Sequence, residues 1–352
     1  MLTMEQCIRE TPERICEIMD RQEELFQNVT KPDYTRIIIS GSGSSYHAGT
    51  AAKLFMTKYT GLPVEVLYPF QVEDYIFTEP ETTLFIGVSQ SGTSLSAYRA
   101  MKQAKAAGCR LASMSGKEDK GVILNEVADD VLTVYCGEEG DLQPKTKGMI
   151  CTIVNLMLLA LNWGFVHKKV DEKVYTQALE DLKATADNML RIVDQADQWI
   201  AQNGDRLAKS RDIRVIGTKD VYGIVLEGSL KLVETLRIPV SGYEFEEFIH
   251  GVYNAVNEDS TIILLDTGVE ERVPTMKKVL SEWAENVIIC GKNAEGEKDF
   301  YVPDAGHPDY YTLEYILWIF MICEKVSARK GINIQTTKDT SFHGKLGSKI
   351  LR

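Results

Sequence analysis

RIIISGSGSSYHAGTAAKLFMTKY, residues 36–59, decides the fold. Ile37–Ile39 reads as a fully apolar, buried strand. The Gly/Ser run after it is a turn, and the Ala-rich stretch that follows is a helix. Moving outward, Val64–Leu67 is a short strand, and TTLFIGVSQSGTSLSAYRAMKQAKAAG (82–108) repeats the order of strand, Ser/Gly turn and helix. Arg110–Met114 and Asp130–Val134 supply two more strands. Buried strands alternating with helices predict a parallel sheet covered on both faces, a three-layer α/β/α arrangement.

The pattern returns in IRVIGTKDVYGIVLEGSLKLVETL (213–236). Thr261–Leu265 and Asn286–Ile289 read as strands, and Tyr310–Ser327 as an apolar helix. Gly41 and Gly217 close the first strand of each half, 176 positions apart in a chain of 352, and each is followed five residues later by a tyrosine, Tyr46 and Tyr222. FIGVSQSG in the first half matches ILLDTGVE in the second at nearly the same offset. The repeated unit has the length of a domain rather than of a solenoid repeat. The expected organisation is an N-terminal helix (1–28), a first doubly wound, flavodoxin-like domain (29–170), a charged connecting helix (171–205), and a second such domain with a C-terminal tail (206–352).

Thirty-nine Lys and Arg against 51 Asp and Glu give a net charge of −12. That balance argues against nucleic acid as a partner, because such binding neutralises phosphates with a basic face. It also means that any anionic ligand must be captured by local groups. The seven cysteines form no C-x-x-C pair and are odd in number, which fits reduced thiols and a cytoplasmic setting. The N-terminus carries charges and no apolar signal core. Met149–Leu161 is too short to span a bilayer and reads as a buried helix, so no membrane association is expected. The five histidines are scattered, and no metal site is expected.

Two loops offer the local capture that the net charge requires. GSGSS (41–45) and SQSGTS (89–94) each follow an apolar strand and open a helix. Main-chain N–H groups at a helix start carry positive partial charge. Small residues such as Gly43 let the backbone approach an anion, and the hydroxyls of Ser42, Ser44, Ser45, Ser89, Ser91, Thr93 and Ser94 add donors. A plain β–α turn is also rich in these residues. Two such loops at the C-terminal ends of strands in one half, the edge where open α/β sheets bind ligands, favour a phosphate site. Neither G-x-G-x-x-G nor a P-loop occurs, so dinucleotides and ATP are disfavoured and no cofactor is expected.

Acid/base candidates lie in the second half. Glu227, Lys231 and Glu234 are spaced i, i+4, i+7 on one helical face. A solvated Glu–Lys pair would give the same spacing. The otherwise apolar helix instead suggests a Lys that keeps one carboxylate ionised and leaves the other tunable. GYEFEEFIHGVYNAV (242–256) places His250 at the end of a short acidic segment before Gly251, where an imidazole would be presented outward.

Taken together, these motifs resemble the SIS (sugar isomerase) family. The likeness is to the isomerase half of glucosamine-6-phosphate synthase and to fructosamine 6-phosphate deglycases. GSGSSYHAG (41–49), SQSGTS (89–94), PKTKGM (144–149), LEGSLKLVE (226–234) and EEFIHG (246–251) resemble the family's successive motifs. The resemblance implies tandem SIS domains whose Ser45, Ser89, Gln90, Ser91 and Ser94 bind a sugar phosphate. Lys145 and Thr146 would assist where the family has a Ser-Thr-Lys segment. It further implies Glu234 as general base and acid at C1–C2, Glu227 and Lys231 as its supports, and His250 acting in cis or from the neighbouring subunit of a homodimer. In SFHGKLGSKILR (341–352), Lys349 is the nearer match to the synthase's Schiff-base lysine and Lys345 the alternative. No N-terminal nucleophilic cysteine matches the synthase's glutaminase half, so glutaminase activity is not expected. The implied function is a cofactor-free phosphosugar isomerase or ketosamine 6-phosphate deglycase, with deglycation preferred. The alternative is a non-catalytic sugar-phosphate-sensing protein.

Overall fold

The computed structural model describes residues 2–117, 121–140, 142–302 and 306–348. In chain order, α1 (Met4–Phe26) precedes β1 (Arg36–Ser40), α2 (Ser44–Thr60), β2 (Val64–Leu67) and the short α3 (Pro69–Val72). Then come β3 (Thr83–Val88), α4 (Leu95–Ala107), β4 (Arg110–Ser115), β5 (Asp130–Thr133) and α5 (Lys147–Val166). The long α6 (Glu172–Ala208) leads to β6 (Asp212–Gly217), α7 (Tyr222–Leu236), β7 (Val240–Glu244) and α8 (Phe245–Ile249). Last are β8 (Ser260–Asp266), α9 (Val273–Leu280), β9 (Asn286–Gly291), α10 (Tyr311–Arg329) and α11 (Phe342–Leu346).

The first sheet has the order β2-β1-β3-β4-β5 and the second β7-β6-β8-β9, all parallel. The second order repeats the first position by position and stops one strand short. An isolated bridge between Cys290 and Phe300 stands where a fifth strand would pair. The β7 strand is absent from the sequence reading. VSGYE carries Gly and Ser and is half-buried throughout, so its apolar pattern is too weak to register.

Each sheet is covered on both faces. In the first, Ile38, Phe85 and Leu111 pack with Ala97, Ala100 and Met101 of α4. On the other face Gly49 of α2 lies so close to Ile39 that a Cβ there would sit 3.0 Å from its Cγ2. In the second, Ile216, Ile262 and Leu264 pack with Phe245 and Phe248 of α8 and Val273 and Leu280 of α9. On the opposite face a Cβ at Gly217 would meet Val225 of α7, and one at Gly228 of α7 would meet Ile319 of α10. The apolar stretch expected to be a buried helix is α5, which is long and apolar enough to cross a membrane yet buried over most of its length.

The chain forms two compact units. The first-sheet unit comprises Glu13–Glu139, Lys147–Lys183 and Lys338–Arg352; the second-sheet unit comprises Met1–Pro12, Gly140–Thr146 and Ala184–Thr337. The division falls within α1, at Pro12, and within α6. A 37-residue helix is about 55 Å long and outruns one small domain.

Candidate functional site

The two Ser/Gly loops lie at the C-terminal edge of the first sheet, as the motifs predict. Gly43 caps α2 with φ 54° and ψ −131°, a conformation suited to a residue without a side chain, and it has no hydroxyl to satisfy the helix's first N–H groups. Ser42 is exposed, and Ser44 and Ser45 are half-buried. In the second loop Gly92 has φ 68° and packs under Val122. Its main chain is pinned: Ser89 N–H donates to Met114 O at 3.0 Å and Gly92 N–H to Ser89 O at 2.8 Å. The hydroxyls of Ser91 and Thr93 pair at 2.9 Å, and those of Ser94 and Ser96 at 3.2 Å. Ser94 also caps α4 by accepting from Ala97 N–H at 3.4 Å. Hydroxyl pairs of this kind can re-aim their protons toward an anion without a change of fold.

Gln90, expected at the phosphate, has its side chain engaged elsewhere. Its Nε2 donates to Cys136 Sγ at 3.1 Å, and its Oε1 accepts from Thr152 Oγ1 at 3.3 Å. Lys145 donates to Gly140 O at 3.2 Å, and Thr146 is fully buried. The neighbouring Lys147 is buried, and its ammonium donates to Glu138 O at 2.9 Å. Lys345 is exposed and bonded to Asp339 at 2.7 Å. Lys349 lies outside the described residues.

The acid/base trio is brought together on α7. Lys231 Nζ lies 2.7 Å from Glu234 Oε2 and 3.6 Å from Glu227 Oε1. Glu227 is fully buried and Lys231 nearly so, whereas the Glu234 side chain is 36% exposed. That gradient leaves Glu234 as the carboxylate of the three that a solute can reach. Burial works to lower the Lys231 pKa, but the two carboxylates outweigh it and raise it, so the ammonium stays charged. Cys323 of α10 is close enough to feel both the lysine and the carboxylates, and burial pushes its thiol up to about 12, so it stays neutral.

His250 belongs to a different element from the trio. It follows α8, is exposed, and its Nδ1 pairs with Glu246 O at 2.7 Å. Gly251 then takes φ 141°, which ends the segment and leaves the imidazole outward. No three His, Cys, Asp or Glu among the described residues converge as metal ligands.

The loops that correspond in the second sheet are closed by acids. Asp220 accepts from Thr218, and from Thr267 Oγ1 at 2.6 Å. Asp266 accepts from the N–H groups of Gly268 at 2.9 Å and Asn293 at 2.8 Å. These partners were not legible in the sequence.

The SIS domain family matches residues 33–162. A candidate phosphosugar isomerase of Clostridium difficile 630 shares 42% identity, covers all of both chains and superposes with a TM-score of 0.95. A candidate sugar binding protein of Salmonella typhimurium LT2 is 36% identical, with 91% of this chain and 98% of that one covered and a TM-score of 0.81. The glutamine–fructose-6-phosphate aminotransferase of Clostridium acetobutylicum is 25% identical over 334 residues, 90% of this chain and 52% of its own. The chain spans about half the length of the curated relatives it matches. This chain therefore belongs to the SIS family, the family of phosphosugar isomerases.

Proposed function

We propose that the protein is a phosphosugar isomerase-type deglycase acting on fructosamine 6-phosphates, with plain hexose 6-phosphates as the alternative substrate. The observation that carries this is the reachable Glu234 carboxylate, held at 2.7 Å by a buried lysine that Glu227 keeps charged. Such a group exchanges a proton without a cofactor. Glu234 takes a proton from C1 of the open-chain ketosamine, an enaminol forms, and the proton returns at C2. Water then adds to the C1 imine, the amine leaves, and the hexose 6-phosphate aldehyde remains. Aldose–ketose isomerisation uses the same proton transfer with oxygen at C1.

The Ser42–Ser45 and Ser89–Ser94 loops supply the phosphate donors in this reading, supported by their place at the sheet edge and at helix starts. His250 assists ring opening. Its exposed position suits a residue offered to a neighbouring subunit of a homodimer. The test is incubation with fructosamine 6-phosphates and hexose 6-phosphates in deuterated water, following amine release and exchange at C2. Glu234→Gln is expected to lower turnover by about a hundredfold to ten-thousandfold. No turnover of either class, or unchanged turnover in the variant, overturns the assignment.

A sugar-phosphate-binding protein without catalysis is the second reading, favoured by what the Salmonella relative is called. Thermal stabilisation by hexose 6-phosphates with no exchange at C2 would select it.

A further inference from the structure

Behind the Ser89–Ser94 loop, Gln90 is held on four sides. Its amide donates to Cys136 Sγ at 3.1 Å, and its Oε1 lies 3.3 Å from Thr152 Oγ1, whose single proton is shared with Gly148 O at 2.7 Å, while its main-chain carbonyl accepts from Gly116 N–H at 3.1 Å. The thiol is buried and thus protonated, with its pKa pushed up to about 11 by burial and by the nearby Glu139. It can therefore accept from Gln90 while donating to Gly137 O at 3.4 Å. Two glycines complete the slot. A Cβ at Gly116 would stand 2.1 Å from Gln90 Nε2, and one at Gly148 would stand 2.3 Å from it. The slot is thus shaped for this amide, with no room for a single added methyl group.

We infer that Gln90 is a positioning residue: its side chain, locked between Cys136, Thr152, Gly116 and Gly148, sets the Ser89–Ser94 loop for an incoming phosphate rather than binding that phosphate itself. The inference rests on the reading of this loop as the phosphate site. The partners come from three other segments of the first-sheet unit, the turn after β4, the stretch after β5 and the first turns of α5, so the lock ties the loop to the body of that unit. A side chain that bonded the anion directly would be insensitive to Cys136 and Thr152. A lock is sensitive to both.

The experiment measures Kd for inorganic phosphate and, for a turned-over phosphosugar, KM and kcat, in the full chain. Gln90→Ala, Cys136→Ala, Thr152→Val and Gly148→Ala are each expected to weaken phosphate binding about tenfold, as loss of one or two aligned hydrogen bonds allows. KM should rise with kcat nearly unchanged. Cys136→Ser keeps an acceptor and should restore most of the affinity. The double variant Gln90→Ala/Gly116→Ala should bind no worse than Gln90→Ala alone, because the only atoms under 3.0 Å from the added Cβ belong to the Gln90 amide. If Gln90→Ala weakens binding while Cys136→Ala and Thr152→Val match the wild type, Gln90 is a ligand and the inference fails. It also fails if none of the variants moves Kd although the wild type binds. A wild-type chain that binds neither phosphate nor any phosphosugar overturns the parent reading as well, so the two failures are distinct.

Discussion

The two parallel sheets share one strand order, yet their C-terminal edges are finished in opposite ways. In the first, β1 and β3 run into loops of glycine and hydroxyl residues, where Ser91 pairs with Thr93, and Ser94 with Ser96 and the start of α4. In the second, β6 and β8 run into loops where Asp220 and Asp266 take up hydroxyl and main-chain donors. A helix start with its donors uncommitted invites an anion; one already facing a carboxylate repels it. One backbone plan thus carries hydroxyl-rich or acid-capped strand ends according to a few side chains, and on the proposed reading only the first is open to phosphate. In the second-sheet unit the charged cluster lies further along the helix, at Lys231 and Glu234 on α7.

The largest effect should come from making the open edge resemble the sealed one. Ser91→Asp places a carboxylate beside Thr93 and is expected to weaken phosphate binding by about a hundredfold or more, through like-charge repulsion and capture of the loop donors. Titration calorimetry with inorganic phosphate reads this out, and retained affinity would break the comparison.

The reverse change should damage stability without conferring binding. Asp266→Ala leaves two N–H groups without their acceptor and is expected to cost about 1–3 kcal/mol in urea unfolding. Phosphate affinity gained at the second sheet would show that the acid alone had sealed it.

The smallest effect concerns Glu270, in the same second-sheet turn region. Hydrogen bonds from Arg272 lower its pKa to about 2. A depressed carboxyl contributes stability above its ordinary value near 4.5 that is lost as pH falls toward 2. The pair is solvent-exposed, so Glu270→Gln should change stability at neutral pH by less than about 0.5 kcal/mol, and less still at high salt. A larger shift would mean that this turn is held by charge rather than by packing.

Much of this was legible in the chain itself. Ile37–Ile39, Thr83–Val88 and the matching runs at 213–217 and 261–265 announce buried parallel strands, because a strand covered on both faces has no polar side to show. The i, i+4, i+7 spacing of Glu227, Lys231 and Glu234 guaranteed a shared helical face. It did not reveal that Glu227 would be fully buried and Glu234 left reachable, since burial depends on α10 packing against α7. Gln90 shows the limit most plainly. Its motif placed it in the Ser89–Ser94 loop, while its partners Cys136 and Thr152 stand 46 and 62 positions away.

The sequence by itself determined the α/β class, the doubled plan, the positions of both Ser/Gly loops and the shared helical face of Glu227, Lys231 and Glu234. All of these follow from local periodicity and short spacing, which the backbone converts directly into strands, turns and helix faces. Only the tertiary structure decided which donors are already satisfied, which carboxylate is exposed and which glycines form a slot around Gln90. Those outcomes depend on contacts between residues remote in the chain, and no local pattern encodes them.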